Sequence, residues 1–109
     1  MSKKLIDSLD DLGRFSEPAL MIMISLAEGP KHGYAMTQDI EAMAGLKLGP
    51  GTLYGAITRL EGRGWIEPLP SEDRRRPYRL TGAGHRVLRH RLDAMKAMAK
   101  VGAQRLADA

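Results

Sequence analysis

A short helix with one apolar face and one glycine-rich face, followed directly by two strand-like runs, most constrains how this 109-residue chain folds. Pro50 suits the first helical position, because its missing N–H has no partner to lose there. Leu53, Ile57 and Leu60 then recur at i, i+4 and i+7, which predicts a narrow apolar face that packs on a core. Gly64 ends the pattern.

The opposite face of this helix lacks the Lys and Glu that a solvated face normally carries. Each of the three glycines on this face lowers the stability of the helix by about 1 kcal/mol relative to alanine. We therefore expect that a binding partner approaches this face closely. The hydroxyls and the guanidinium beside those glycines can bind phosphates or base edges, whereas ordinary exposed polar positions are the alternative. The DNA-binding candidates on this face are Gly51, Thr52, Tyr54, Gly55, Thr58 and Arg59.

Two strand-like runs joined by an arginine-rich turn follow the helix, at residues 65–69 and 77–81. Three prolines in this region are tolerated only where strand edges are free, so we expect the ribbon to project from the domain. A helix followed by a projecting basic ribbon is the winged-helix arrangement. The helix, ~10 to 12 Å in diameter, fits the ~12 Å major groove of DNA, and the tip can reach phosphates. The tip residues are Arg74, Arg75 and Arg76.

Charge is unevenly distributed along the chain. Residues 1–73 contain 7 Lys/Arg and 11 Asp/Glu, a net −4, whereas residues 74–109 contain 10 and 2, a net +8. The excess of basic residues therefore begins at the ribbon tip. This placement favours a polyanionic partner, because Lys and Arg that neutralise phosphates release counterions. A merely solvated basic surface is the alternative.

Several functional classes are disfavoured by what the sequence lacks. The chain has no cysteine, which excludes disulfides and thiolate metal sites and fits a reducing, cytoplasmic compartment. No apolar run reaches the ~20 residues needed to span a bilayer. His85 and His90 lie about 140° apart around a helix, so they do not form a two-histidine metal site. With no glycine-rich phosphate loop and no nucleophile elbow, we expect neither an enzyme nor a cofactor.

These patterns predict a mainly α fold with a small β-hairpin wing, in which a winged helix-turn-helix is followed by a long C-terminal dimerisation helix. Residues 1–15 are assigned to an N-terminal amphipathic helix. Residues 16–81 are assigned to the winged helix-turn-helix domain, and residues 82–109 to the C-terminal helix.

Periodicity also places the smaller elements. Residues 2–12 form an amphipathic helix, and residues 19–28 are apolar all round, which is typical of a buried central helix. A third helix covers 34–44, with Met43 on its inner face. Residues 46–48 are short and extended, long enough for a minor strand against the wing.

The C-terminal helix carries an apolar stripe that is too long for one small domain to cover. At 1.5 Å per residue the helix is roughly 38 Å long, so the stripe needs a partner, and a second copy of the chain is the simplest one. Two recognition helices about one DNA turn (~34 Å) apart would follow. Met95 and Met98 could also line a pocket for a small hydrophobic effector, although plain packing is the commoner use of a methionine stripe. The dimerisation candidates are Leu5, Leu9, Leu88, Leu92, Met95, Ala99 and Leu106.

Three ordered motifs resemble the PadR family of bacterial transcriptional regulators. They are residues 28–34 (EGPKHGY), 49–64 (GPGTLYGAITRLEGRG) and 78–84 (YRLTGAG). The single helix after the ribbon resembles the short branch of that family, which has a reduced C-terminal dimerisation region. The resemblance implies a homodimeric winged-helix repressor that binds a double-stranded DNA operator and is released by a small molecule, commonly aromatic or otherwise hydrophobic.

Two other functions compete with this interpretation. In the first, the long helix and the ribbon bind another protein rather than DNA. In the second, the basic amphipathic C-terminal helix lies on a membrane surface, but its apolar stripe contains neither Trp nor Phe, which disfavours that use. We therefore expect no membrane partner.

Overall fold

The computed structural model describes residues 8–71 and 73–109, which form a mainly helical fold with a small antiparallel sheet. This architecture confirms the predicted fold class. The helices are an N-terminal 3₁₀ helix (Leu9–Phe15), α1 (Ser16–Leu26), α2 (Gly33–Ala44), α3 (Pro50–Gly62) and α4 (Gly82–Asp108). The strands are β1 (Lys31–His32), β2 (Ile66–Pro68) and β3 (Pro77–Leu80).

The predicted N-terminal amphipathic helix is described only from Ser8 onward, since residues 1–7 lie outside the described residues. Ser8 caps a 3₁₀ helix, and Gly13 interrupts that helix with φ 58° and ψ −125°, a conformation that favours glycine. Leu9 is only 2% exposed, because it packs in the core of the single chain. The sequence predicted that Leu9 contacts a second copy of the chain. Because its side chain is not accessible to a second copy, we remove it from the dimerisation candidates. Leu5 lies outside the described residues.

Helix α1 is the centre of the core, as its all-round apolar sequence predicts. Its Ala19, Ile22 and Met23 have no exposed surface. The N-terminal 3₁₀ helix, α2, α3, β3 and the start of α4 all pack against it. Burying a large aliphatic side chain contributes about 1.5–3 kcal/mol to the stability of the fold. The contacts with α1 therefore determine how the outer helices are oriented.

Helices α2 and α3 bury the faces that their periodicity predicts, with one exception. In α3 the buried set is Leu53, Ala56, Ile57 and Leu60. In α2, however, Met43 is 42% exposed rather than inward, because it lies in the last turn, beyond the reach of the core. Because the buried residues of α3 pack against α1, the exposed face of α3 is the one opposite α1.

The sheet has the order β1-β3-β2, so β3 is its central strand rather than part of a free ribbon. Pro77 is tolerated there because it is the first residue of β3, opposite His32. The third strand is Lys31–His32, not residues 46–48, which form no strand. Residues 46–48 instead supply buried Leu48 to the core. The base of the wing is therefore anchored to the segment that precedes α2.

Helix α4 begins inside the fold and ends outside it. Thr81 caps it by accepting a hydrogen bond from the Gly84 N–H at 3.0 Å. Leu88 is only 5% exposed, because it packs in the core of the single chain. As with Leu9, we therefore remove it from the dimerisation candidates. Residues 92–109 are all exposed, which leaves roughly 27 Å of helix that the described part of the chain does not cover.

Candidate nucleic-acid interface

The outward face of α3 is the centre of the candidate interface. Thr52, Tyr54, Thr58 and Arg59 are all exposed on it. The Thr58 hydroxyl donates to the Tyr54 carbonyl oxygen at 2.8 Å. Helix α3 thus presents exposed hydroxyls and a guanidinium on its outward face.

The glycines of α3 divide into two kinds. A β-carbon added at Gly51 or Gly62 would meet no atom within 4 Å, so the described residues leave both positions open. Gly55 is different, because a β-carbon there would lie 2.7 Å from Cε1 of Phe15. The prediction that the helix is bare at Gly55 is therefore corrected, since the group that approaches this glycine is a phenyl ring of the same chain.

Arg59 lies back along α3 over the same ring. Its guanidinium carbon is 4.0 Å from the centroid of Phe15, and its NH1 group donates to the Gly55 carbonyl oxygen at 3.1 Å. Arg14 approaches the ring as well, at 5.0 Å. Sequence reasoning missed Arg14 and Phe15, because neither belongs to a periodic pattern and only packing brings them to α3.

Tyr54 links α3 to the start of α2. Its side chain is half exposed, and its hydroxyl oxygen would lie 2.5 Å from a β-carbon added at Gly33. The small size of Gly33 therefore lets the Tyr54 hydroxyl approach the first residue of α2 closely, beside the residues of the wing.

The wing tip brings the predicted arginines beside α3. Asp73 and Arg74 adopt positive φ values of 49° and 70°, which closes the turn. The NH1 group of Arg75 lies 3.3 Å from Nε2 of His32 in β1, a residue that the sequence analysis did not single out. A cleft of about 250 Å³ is lined by Tyr34, Tyr54, Tyr78, Arg74, Arg75 and Arg76. The structure thus brings Tyr54 of α3 and the three wing arginines around one basic cleft. Gly51 and Thr52 line a separate groove beside Arg14 and Phe15.

Tyr78 also lines this cleft, with a partly buried side chain. Burial raises the pKa of Tyr78 above its ordinary value, and the Glu61 carboxylate raises it further, while Arg76 opposes both effects. The phenol is therefore a hydrogen-bond donor at neutral pH.

The predicted dimerisation residues of α4 that lie beyond the core form an exposed apolar stripe. Leu92 is 39% exposed, Met95 41% and Leu106 81%, and Ala99 is exposed as well. Met98, the second effector candidate, is 69% exposed. Residues 8–71 and 73–109 of a single chain enclose neither methionine.

Two kinds of feature are absent from the described residues. Within 8–71 and 73–109, no three His, Cys, Asp or Glu side chains are grouped so that they could hold a metal ion. Over the same ranges, no helix combines the length and the apolar character that a bilayer span requires.

Comparison with known families supports a regulatory role for this geometry. The profile of the PadR-like family of transcriptional regulators matches residues 22–90, which include α2, α3 and the wing. A transcriptional regulator of Mycobacterium tuberculosis is 36% identical over 87 residues, which cover 74% of this chain and 78% of that protein. A protein of a Streptomyces fradiae transposon is 42% identical over 82 residues. Those residues are 75% of this chain and 24% of that relative, so the chain spans about a quarter of its length.

Solved structures share the fold over most of the chain. A transcriptional regulator from Clostridium thermocellum superposes with a TM-score of 0.70 at 28% identity, covering 79% of this chain and 89% of that one. A PadR family transcription regulator from Clostridium difficile superposes with a TM-score of 0.73 at 25% identity, covering 81% and 96%.

Proposed function

Because this chain belongs to the PadR-like family of transcriptional regulators, we propose that it binds double-stranded DNA through α3 and the wing and represses transcription as a homodimer. The observation that carries the proposal is the basic cleft between Tyr54 of α3 and the arginine tip of the wing. Helix α3 would enter the major groove, while Arg74, Arg75 and Arg76 would reach the neighbouring phosphates. Such a regulator acts beside the chromosome, so we place it in the cytoplasm.

Pairing through α4 completes the proposed regulator. Eighteen consecutive exposed residues, 92–109, carry an apolar stripe that a two-fold copy of the same helix would bury. The N-terminal halves of the two α4 helices would then position the two α3 helices so that they enter successive major grooves on one face of the DNA. Leu92, Met95, Ala99 and Leu106 are the residues proposed to make this contact.

An effector pocket at the same seam is the finer part of the proposal. Met95 and Met98 are flexible thioethers on the exposed stripe, and paired copies would enclose them in an adaptable apolar environment. Titrating the protein–DNA complex with hydrophobic cationic and phenolic compounds tests this, with release of labelled DNA as the measurement. Release by such a compound from wild type, but not from a Met98→Lys variant that still binds DNA, is the expected result.

DNA binding itself is tested by fluorescence anisotropy. A labelled duplex from upstream of the gene for this protein is titrated at two salt concentrations, beside an unrelated duplex of equal length. Tight binding that prefers the upstream duplex and weakens with salt is expected. Absence of binding to both duplexes at low salt contradicts the proposal and favours the alternative, a winged-helix module that binds another protein.

A further inference from the structure

Phe15 lies over the middle of the proposed recognition helix. A β-carbon on residue 55 would be 2.7 Å from its Cε1 atom and 3.2 Å from its Cζ atom, closer than van der Waals contact allows. The phenyl ring therefore rests on the backbone of α3, a placement that glycine permits at position 55. Phe15 is itself partly buried against the core and precedes the first residue of α1, so its backbone position is fixed by folding.

Arg59 uses this ring as a support. Its guanidinium lies 4.0 Å from the ring centroid, within the range of a cation–π contact, and one of its N–H groups donates to the Gly55 carbonyl oxygen at 3.1 Å. These two restraints turn the side chain back along α3 instead of letting it extend into solvent. A guanidinium has five N–H donors in a fixed plane, and the Gly55 carbonyl uses one of them.

Arg14 adds a second positive charge at the same ring. Its guanidinium is 5.0 Å from the ring centroid of Phe15, and it borders a groove of about 400 Å³ that Gly51 and Thr52 also line. Two guanidiniums within 5.0 Å of one ring centroid concentrate positive charge there, so the arrangement suits a phosphate-bearing partner. This groove lies on the side of Phe15 that faces the start of α3.

We propose that Phe15 is a positioning residue for DNA binding, which holds Arg59 in the conformation that contacts DNA. The inference rests on the proposed function and adds to it a residue outside both α3 and the wing. Because Arg59 is ordered before DNA arrives, less side-chain entropy is lost on binding. Removing the ring releases Arg59 without removing its charge.

The test compares substitutions that keep or remove the aromatic face. The probe is a labelled duplex that the wild-type protein selects from a random-sequence library, titrated by fluorescence anisotropy. Phe15→Leu keeps an apolar cover on Gly55 and is expected to weaken binding about three- to tenfold, in line with the strength of a cation–π contact. Phe15→Tyr keeps the ring face and is expected to bind as wild type does. Circular dichroism and thermal unfolding confirm that both variants are folded.

A double-mutant cycle separates positioning from structural support. In an Arg59→Ala background, Phe15→Leu is expected to cause no further loss of duplex affinity. The matched control is an Arg14→Ala background, in which Phe15→Leu is expected to weaken binding as it does in the wild-type protein. An equal loss in both backgrounds overturns the inference, as does full binding by folded Phe15→Leu. Both results leave the proposed function standing. Failure of the wild-type protein to bind any duplex at low salt removes the proposed function and this inference together.

Discussion

A β-carbon on residue 84 would lie 2.0 Å from the carbonyl oxygen of Trp65, so the first turn of α4 packs directly on the backbone where the wing begins. The same carbonyl accepts a hydrogen bond from the Thr81 N–H at 3.0 Å, and the Thr81 hydroxyl donates to the Gly64 carbonyl oxygen at 2.6 Å. The wing is therefore joined by backbone contacts to the helix that we propose pairs two copies.

Gly84→Ala should destabilise the fold, because the atom that the new methyl group meets belongs to the backbone and cannot rotate away. We expect the free energy of unfolding to fall by about 3 kcal/mol, at the upper end of overpacking effects. Thermal unfolding followed by circular dichroism measures the change. Gly62→Ala is the control, since a β-carbon there has open space, and it should stabilise the protein by about 0.5–1 kcal/mol. Wild-type stability of Gly84→Ala would contradict the close packing.

Gly51→Ala should separate stability from DNA binding. A β-carbon at this position meets no atom of the described chain, so the fold should tolerate it or gain up to about 1 kcal/mol of stability. If DNA approaches α3 there, the methyl group should nevertheless weaken duplex binding, which anisotropy measures. Gly62→Ala, at the far end of the same helix, controls for the gain in helix propensity. Unchanged affinity of Gly51→Ala would remove this glycine from the interface.

The two faces of α3 could be predicted from the sequence because both depend on a 3.6-residue repeat and on local glycine and proline preferences. Leu53, Ile57 and Leu60 are buried as that repeat requires. The Phe15–Gly55 contact could not be predicted, because it joins residues 40 positions apart whose meeting depends on how the 3₁₀ helix packs. Strand β1 has two residues, too few to show any alternation.

The apolar stripe of α4 illustrates a different limit. From Leu88 to Leu106 the stripe is continuous in sequence, yet the structure buries its start and exposes its end. The boundary falls after Arg91, whose guanidinium NH1 lies 2.7 Å from an Asp10 carboxylate oxygen at the edge of the folded body. The size of that body, rather than any property of the stripe, decides which leucines belong to the core.

Replacing Arg74, Arg75 and Arg76 together by alanine should weaken binding to all duplexes alike. The three side chains are exposed at the wing tip, so the fold should be unaffected. Each arginine that neutralises a phosphate contributes about one unit to the slope of log affinity against log salt, so the slope should decrease by up to about 3. Anisotropy titrations at several salt concentrations measure it. An unchanged slope would contradict the proposal that the wing tip contacts the phosphates of the DNA backbone.

Tyr78 should make stability decline at alkaline pH. Its pKa is raised above the ordinary value of 10.0 in the folded chain, mainly by burial and next by Glu61. Its contribution is therefore fully present below pH 10, and it is lost as the pH rises from 10 through the folded-state pKa, because the unfolded chain ionises first. Urea unfolding across this pH range measures the decline. Tyr78→Phe should flatten it, and an equally steep decline in that variant would assign the effect to other groups.

Met95→Glu should separate the two copies without unfolding either. Met95 lies on the exposed stripe of α4, outside the core, so a single chain should keep its thermal stability. In the proposed dimer, two carboxylates would be buried near the two-fold axis without partners, which opposes pairing. Sedimentation should therefore show a monomer. Affinity for a duplex with two half-sites should fall at least about a hundredfold, because each α3 then binds alone. Gln104→Glu adds the same charge on the opposite face of α4 and should leave both measurements unchanged. A Met95→Glu protein that sediments as a dimer would place the contact between copies elsewhere.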